Sequence, residues 1–267
     1  MDCKPYLRAH ADELIESLAA LIRIPSVEGT PEDGAPYGRE VARCLQETLA
    51  LCEKLGFRTG NLDGRVGWCE YGEGEEMVAV LAHLDVVPAG DGWSEAEPFS
   101  GEVKNGRIYG RGAMDDKGPV VAAIYALAAL KDAGFAPARR IRILFGTNEE
   151  TGCGDMAWYR EHGGEKPVMG FTPDGEYPVI NGEKGILTGT FARRLHQTGV
   201  YRLTRLEGGT ASNVVPAYAV AELQCPADAA GRITGEKITV TPIKGGIRVE
   251  AQGVSAHGST PEQGENA

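Results

Sequence analysis

Four short segments carry the residues that could do chemistry. In "AHLDVVP", His83 and Asp85 stand two apart. On extended backbone, positions i and i+2 share a face. A neutral imidazole placed there can bind a metal while a carboxylate accepts its other N–H and fixes its tautomer. In "YGRGAMDDKGP", Asp115 and Asp116 are adjacent, between a glycine-rich turn and an alanine-rich run. The turn is not a Walker loop, which needs Gly-Lys-Ser/Thr; here Lys117 precedes Gly118 and Pro119. In "GTNEETGCGD", Glu149 and Glu150 are neighbours, so on extended backbone one can face a metal and the other water or substrate. In "FTPDGEYP", Asp174 follows Pro173.

Each segment alone has a plain reading: a satisfied histidine at a strand end, a helix cap, a solvated acidic loop, a turn aspartate. Together they place one histidine and several carboxylates at the strand ends of one predicted sheet. Nitrogen and oxygen ligands without thiolates suit zinc or a similar divalent ion in a catalytic site. A carboxylate bridging two ions is the natural core of a two-metal hydrolase.

The elements that must position these groups are legible as periodic runs. "MVAVLAH" (Met77–His83), "RIRILFG" (Arg140–Gly146) and "KPVMGFTPD" (Lys166–Asp174) read as strands. "PVVAAIYALAALKDAGF" reads as a helix, with Pro119 in its first turn, Asp115 or Asp116 as its cap and Gly134 as its stop. Asp12–Ile24, stopped by Pro25, and Gly38–Leu55, stopped by Gly56, read as two more amphipathic helices. The alternation predicts an α/β domain, a mostly parallel sheet flanked by helices, with ligands beyond the carboxyl ends of the strands. After Gly185, "KGILTGTFARRL", "GVYRLTRLEGG", "VVPAYAVAELQC" and "EKITVTPIKGGIRVEAQG" read as β-rich with glycine turns. Residues 1–185 are therefore expected to form a metal-binding domain, and 186–267 the start of a smaller one. That second domain is expected to be unfinished, since "HGSTPEQGENA" supplies no closing helix or strand.

Bulk composition excludes some partners. There are 27 Lys+Arg against 38 Asp+Glu, a net charge of -11, which argues against nucleic acid or an anionic membrane surface. The six cysteines are scattered without a CxxC pair, so a disulfide framework is not expected. The N-terminal stretch lacks the apolar core of a signal peptide, and no stretch approaches the roughly 20 apolar residues of a membrane span. The expected compartment is the cytoplasm.

These residues, in this order, resemble the M20 family of co-catalytic zinc metallopeptidases. "HLDVVPAGDGW", "GRGAMDDKGP", "GTNEETGCGD" and "FTPDGEYP" each look like a family signature. The wording is most similar to the PepV-type dipeptidases, also called Xaa-His or carnosinase-like. "SNVVPAYA" and "GVSAHGSTPEQG" look like the family's lid motifs, so the resemblance covers essentially the whole chain. It implies that residues 1–185 are a catalytic domain and 186–267 the start of an α+β lid domain. It implies His83 as a ligand of one zinc, with Asp85 its orienting partner at the catalytic centre. It implies Asp115 as the carboxylate bridging both ions, followed by a cis peptide to Asp116. It further implies Glu149 as the general base, Glu150 as a ligand of the second zinc and Asp174 as the remaining ligand of the first. Asn213 and His257 resemble lid residues that hold the substrate or its oxyanion.

The implied cofactor is two zinc ions per full-length subunit, replaceable by Co2+ or Mn2+. The implied reaction is hydrolysis of the peptide bond of a dipeptide or short peptide. The oligomeric state is left open, a homodimer through the lid being one option. One feature departs from the family: its second zinc takes a further histidine, and none of His10, His162, His196 and His257 lies in a matching motif. The chain thus resembles the N-terminal portion of a longer enzyme, expected alone to be a weak catalyst or none. Two rival readings are an M20-type deacylase or desuccinylase acting on N-acyl amino acids, and a non-catalytic metal-binding fragment.

Overall fold

Two helices open the chain, α1 (Lys4–Ala9) and α2 (Ala11–Ile22). The second ends before Pro25 and buries Leu18, Ala19, Leu21 and Ile22. In α3 (Arg39–Lys54), Val41, Cys44, Leu45, Thr48, Leu49 and Cys52 follow a helical period and form one buried stripe. A hairpin follows, β1 (Arg58–Leu62) and β2 (Val66–Tyr71). Its turn places Asp63 (φ 52°) and Gly64 (φ 67°) in the left-handed region, where such residues are tolerated. Next come β3 (Met77–His83), the small hairpin β4 (Glu102–Lys104) and β5 (Arg107–Tyr109), and α4 (Lys117–Asp132). The first unit closes with β6 (Arg140–Gly146), α5 (Gly154–Glu161) and β7 (Met169–Phe171). The computed structural model describes residues 2–90, 92–175, 177–182 and 184–267, apart from the side chains of 227, 228 and 230.

Five strands form one sheet in the order β1-β2-β6-β3-β7. β3 pairs in parallel with β6 and β7, while β1–β2 and β2–β6 are antiparallel. The expected α/β class with flanking helices stands, and its sheet joins two parallel pairings to two antiparallel ones. The reason is the β1–β2 hairpin, which adds two strands on one side without a crossover helix. Helices α2, α3 and α4 cover one face through Leu21, Ile22, Leu45, Leu49, Ile124 and Leu127, packed on Val80, Ala82, Ile143 and Phe145. Tyr159 of α5 packs on Val66, Ala79 and Leu144 of the other face.

The chain divides into two compact units, Met1–Ile180 and Asn181–Ala267. The second holds β8 (Arg202–Gly208), β9 (Tyr218–Gln224), β10 (Ile238–Ile243) and β11 (Gly246–Gln252). They form an antiparallel sheet in the order β10-β11-β9-β8. Its helical content among the described residues is two 3-10 turns, Ala227–Arg232 and Pro261–Gln263. "KGILTGTFARRL", read above as β, forms no strand among its described residues. A strand needs a neighbour for its amides and carbonyls, and Ile186, Leu187 and Phe191 are each at least 95% exposed instead. No helix of the described residues is long and apolar enough to cross a membrane.

Candidate metal centre

The parallel pairing sets the site. His83, the last residue of β3, stands opposite Gly146, the last residue of β6, so both strands end at the same level. His83 is 2% exposed, and its Nδ1 donates to the main-chain carbonyl of Asp85 at 3.0 Å. The lone pair of Nε2 is then left for another partner. Around that nitrogen lie Asp115 Oδ1 at 3.0 Å, Asp174 Oδ2 at 3.4 Å and Glu149 Oε2 at 4.0 Å. Nε2 is buried without a hydrogen bond.

The resemblance implies the Asp85 carboxylate as the partner that orients His83. In the structure the Asp85 carbonyl takes that place, and Asp85 Oδ1 is 3.4 Å from Nδ1. The carboxylate is turned to the segment after β6. Its Oδ1 accepts the Glu149 N–H at 3.1 Å and its Oδ2 the Glu150 N–H at 3.0 Å. Amides beyond a strand end have no ladder partner, and Asp85 supplies acceptors to two partly buried ones at once.

Asp116 also departs from expectation. It occupies the N-cap position of α4, yet its side chain makes no capping bond. Oδ2 accepts the His83 N–H at 3.0 Å, and Oδ1 is buried without a hydrogen bond. The end of β3 offers a buried amide that competes better for this carboxylate than the first turn of α4, part of which solvent can reach. The Asp115–Asp116 peptide is cis. Lys117, fully buried, donates to the carbonyls of Leu21 at 2.9 Å and Ile24 at 2.7 Å. The Leu21 carbonyl belongs to the last turn of α2 and that of Ile24 lies two residues past its end, where unpaired acceptors and the helix dipole favour a cation. Sequence reasoning gave Lys117 no part beyond excluding a phosphate loop. It also passed over Asp155, the aspartate that closes "GTNEETGCGD". Asp155 is 1% exposed, and its Oδ2 accepts the amides of Thr147 at 2.6 Å and Asn148 at 3.1 Å.

Crowded carboxylates shift one another's ionisation. Burial, then the charge of Asp115, pushes Glu150 up to about 7. Burial raises Glu149 and pushes Asp116 up to about 7. His83 beside it holds Asp115 below the usual carboxylate range. Burial disfavours an imidazolium at His83, but the carboxylates of Asp115, Asp174 and Asp85 outweigh it and push the ring well above its ordinary value. So many acidic groups around one buried nitrogen call for a cation, either a proton or a metal.

The donor set fits a divalent ion. Ligand atoms from His83, Glu149 and Asp174, and from His83, Asp115 and Glu150, lie within 4.8 Å of one another. Around a tetrahedral ion with ligands at about 2.0–2.1 Å, neighbouring ligand atoms are about 3.3 Å apart, close to the separations at Nε2. Both groups use His83, and none of His10, His162, His196 and His257 belongs to such a group among the described residues. His10 and His162 instead stack on Tyr6 and Trp158.

Asn213 and His257 lie in the second unit, and the structure brings them together. Val214 and His257 form an isolated antiparallel bridge, and the Gly258 N–H donates to the Asn213 carbonyl at 2.5 Å. His257 Nδ1 accepts the Ser259 N–H at 3.2 Å, which leaves Nε2–H of the neutral ring as a free donor.

The profile of Peptidase family M20/M25/M40 matches residues 79–256, from β3 to the stretch before His257. The chain belongs to this family. Membership brings divalent-metal chemistry to the donor set just described. YtjP of Bacillus subtilis (strain 168) is 40% identical over 269 residues, covering 96% of this chain and 58% of that protein. The Beta-Ala-Xaa dipeptidase of Lactobacillus delbrueckii subsp. lactis is 34% identical over 279 residues, covering 100% of this chain and 59% of that protein. The M20 chain thus spans 58–59% of the length of these relatives. An M20 family metallo-carboxypeptidase from Sulfolobus solfataricus, Sso-CP2, superimposes with a TM-score of 0.52 at 25% identity, over 61% of this chain and 37% of that one. Human carnosine dipeptidase 1 shares the fold with a TM-score of 0.56 at 24% identity, over 66% of this chain and 41% of that one.

Proposed function

We propose that the protein to which this chain belongs hydrolyses the peptide bond of dipeptides or short peptides at a site for two zinc ions. The supporting observation is the convergence on one buried nitrogen: Asp115, Asp174 and Glu149 lie 3.0, 3.4 and 4.0 Å from His83 Nε2. We assign the two nearer carboxylates as ligands with His83, Asp115 also serving the second ion together with Glu150. The ions, when bound, lower the pKa of a water and polarise the scissile carbonyl. Glu149 is the more distant carboxylate, and burial raises its proton affinity, both suited to a base. It takes a proton from the attacking water and returns it to the leaving amine. Asp85 holds Glu149 and Glu150 by their amides while its carbonyl fixes the His83 tautomer. Asn213 and His257 are assigned to the substrate or its oxyanion, through the free Nε2–H donor of His257.

Peptides are preferred over N-acyl amino acids because the identity to a Beta-Ala-Xaa dipeptidase runs along the whole chain. We place the enzyme in the cytoplasm; all six cysteines are free thiols, as suits a reducing compartment. The test is Glu149→Ala in the intact protein. It is expected to lower kcat on a dipeptide by about a hundredfold or more, with bound zinc unchanged. A variant that keeps most of its activity would remove Glu149 from the mechanism.

A further inference from the structure

The segment that carries Glu149 and Glu150 is held from two sides. Asp85 binds the amides of Glu149 and Glu150, and Asp155 binds those of Thr147 and Asn148. Four successive amides thus end on two carboxylates, each about 1% exposed. Asp155 is itself fixed, since its Oδ1 accepts the Met156 N–H at 2.7 Å in the first turn of α5. Its Oδ2 sits so close to the end of β6 that a Cβ on Gly146 would come within 2.7 Å of it. Asn148 closes the turn: its Oδ1 accepts the Gly154 N–H at 3.1 Å and its carbonyl the Cys153 N–H at 2.8 Å.

We infer that Asp155 is a positioning residue for Glu149 and Glu150. Its hydrogen bonds among the described residues go to the amides of Thr147, Asn148 and Met156, and none goes to the side chain of His83 or of a proposed ligand. It acts through the two peptide planes that precede Glu149. With those planes fixed on one side and the next two fixed by Asp85 on the other, the side chains of Glu149 and Glu150 leave the backbone in set directions. Without Asp155, two buried amides lose their acceptor. The turn must rotate to find others and carries both glutamates away from His83. Charge-assisted bonds to a buried carboxylate hold such a turn more tightly than neutral ones.

The inference rests on the metal reading given above. The experiment uses the intact protein and Asp155→Asn, which keeps the shape but loses one acceptor oxygen. Zinc affinity, from chelator competition with zinc alone, is expected to fall about ten- to a hundredfold. The visible spectrum of the cobalt-loaded protein should shift, and kcat should fall more than KM rises. Leu49→Ala in α3 is the control for general destabilisation. It should lower the thermal midpoint without changing zinc affinity or the cobalt spectrum. If Asp155→Asn matches wild type, or behaves as Leu49→Ala does, Asp155 is only structural and the inference falls. Should wild type bind no zinc, the metal reading fails and takes this assignment with it. If Asp155→Asn does not fold, hydrogen exchange of the metal-free wild type decides. Thr147 and Asn148 amides as protected as those of β6 support the anchor, and rapid exchange overturns it.

Discussion

Of the three segments that deliver carboxylates to His83, two are built in opposite ways. The 147–150 turn follows β6, a seven-residue strand with β2 on one side and β3 on the other. Its four amides are bound by buried carboxylates. Asp174 follows β7, a three-residue strand at the sheet edge, where Met169 and Phe171 are 61% and 62% exposed. Its own amide donates to Thr172 Oγ1 at 3.2 Å in an exposed position. A buried amide left without an acceptor costs about 1–3 kcal/mol, so the first segment resists rearrangement and the second does not. The stiff segment carries the proposed base, Glu149, beside one ligand, and the looser one carries a ligand alone. A base must meet a proton at one point in space, whereas a ligand can follow the ion it binds.

The largest effect should come from Asp85→Ala, which strips acceptors from two amides of the stiff segment. It is expected to destabilise the protein by about 2–6 kcal/mol and to abolish metal retention, measured by urea unfolding and metal analysis. A mild loss would show that the turn is not held as described. Asp174→Ala should break the other half of the contrast. Zinc affinity should fall at least about tenfold, while the metal-free protein unfolds within about 0.5 kcal/mol of wild type. A larger loss of stability would make the second segment as stiff as the first.

The smallest effect concerns pH. Glu150 and Asp116, pushed up to about 7, sit above the ordinary carboxylate range of the unfolded chain. Their contribution to folding is therefore fully present below about pH 4 and is lost as pH rises through about 7. Metal-free protein should gain stability at these two groups on acidification from pH 8 to 5, whereas metal retention should weaken over the same range because ligands must lose protons. Thermal midpoints of metal-free wild type and Asp116→Asn from pH 5 to 8 check the sign. The variant should show the shallower dependence.

What could be read from the sequence was what local periodicity encodes. The stripe from Val41 to Cys52 gives α3, and β3 and β6 occupy the spans read for them. Three of the four polar segments were visible because each follows an apolar run, and the fourth because two adjacent aspartates stand between a glycine-rich turn and an alanine-rich run. The β1–β2 hairpin was missed although Asp63-Gly64 is a hairpin signal, and with it the two antiparallel pairings of the sheet. "KGILTGTFARRL" has the composition of a strand, but pairing is a property of neighbours. The same limit hid three buried carboxylates. Whether Asp85 turns to a histidine or to a loop, whether Asp116 caps its helix or reaches β3, and whether Asp155 matters at all depend on which unpaired amide the fold brings near. Residue type and spacing do not specify that.

Lys117 ties distant parts of the chain to one fate. Its ammonium is fastened to one carbonyl in the last turn of α2 and one just past it, and its backbone begins the helix that follows Asp115 and Asp116. The end of α2 therefore serves as the mooring of the metal-ligand turn. A purification handle or trimming near residue 20 that loosens α2 would register first in the metal content of the preparation, before any loss of fold became visible.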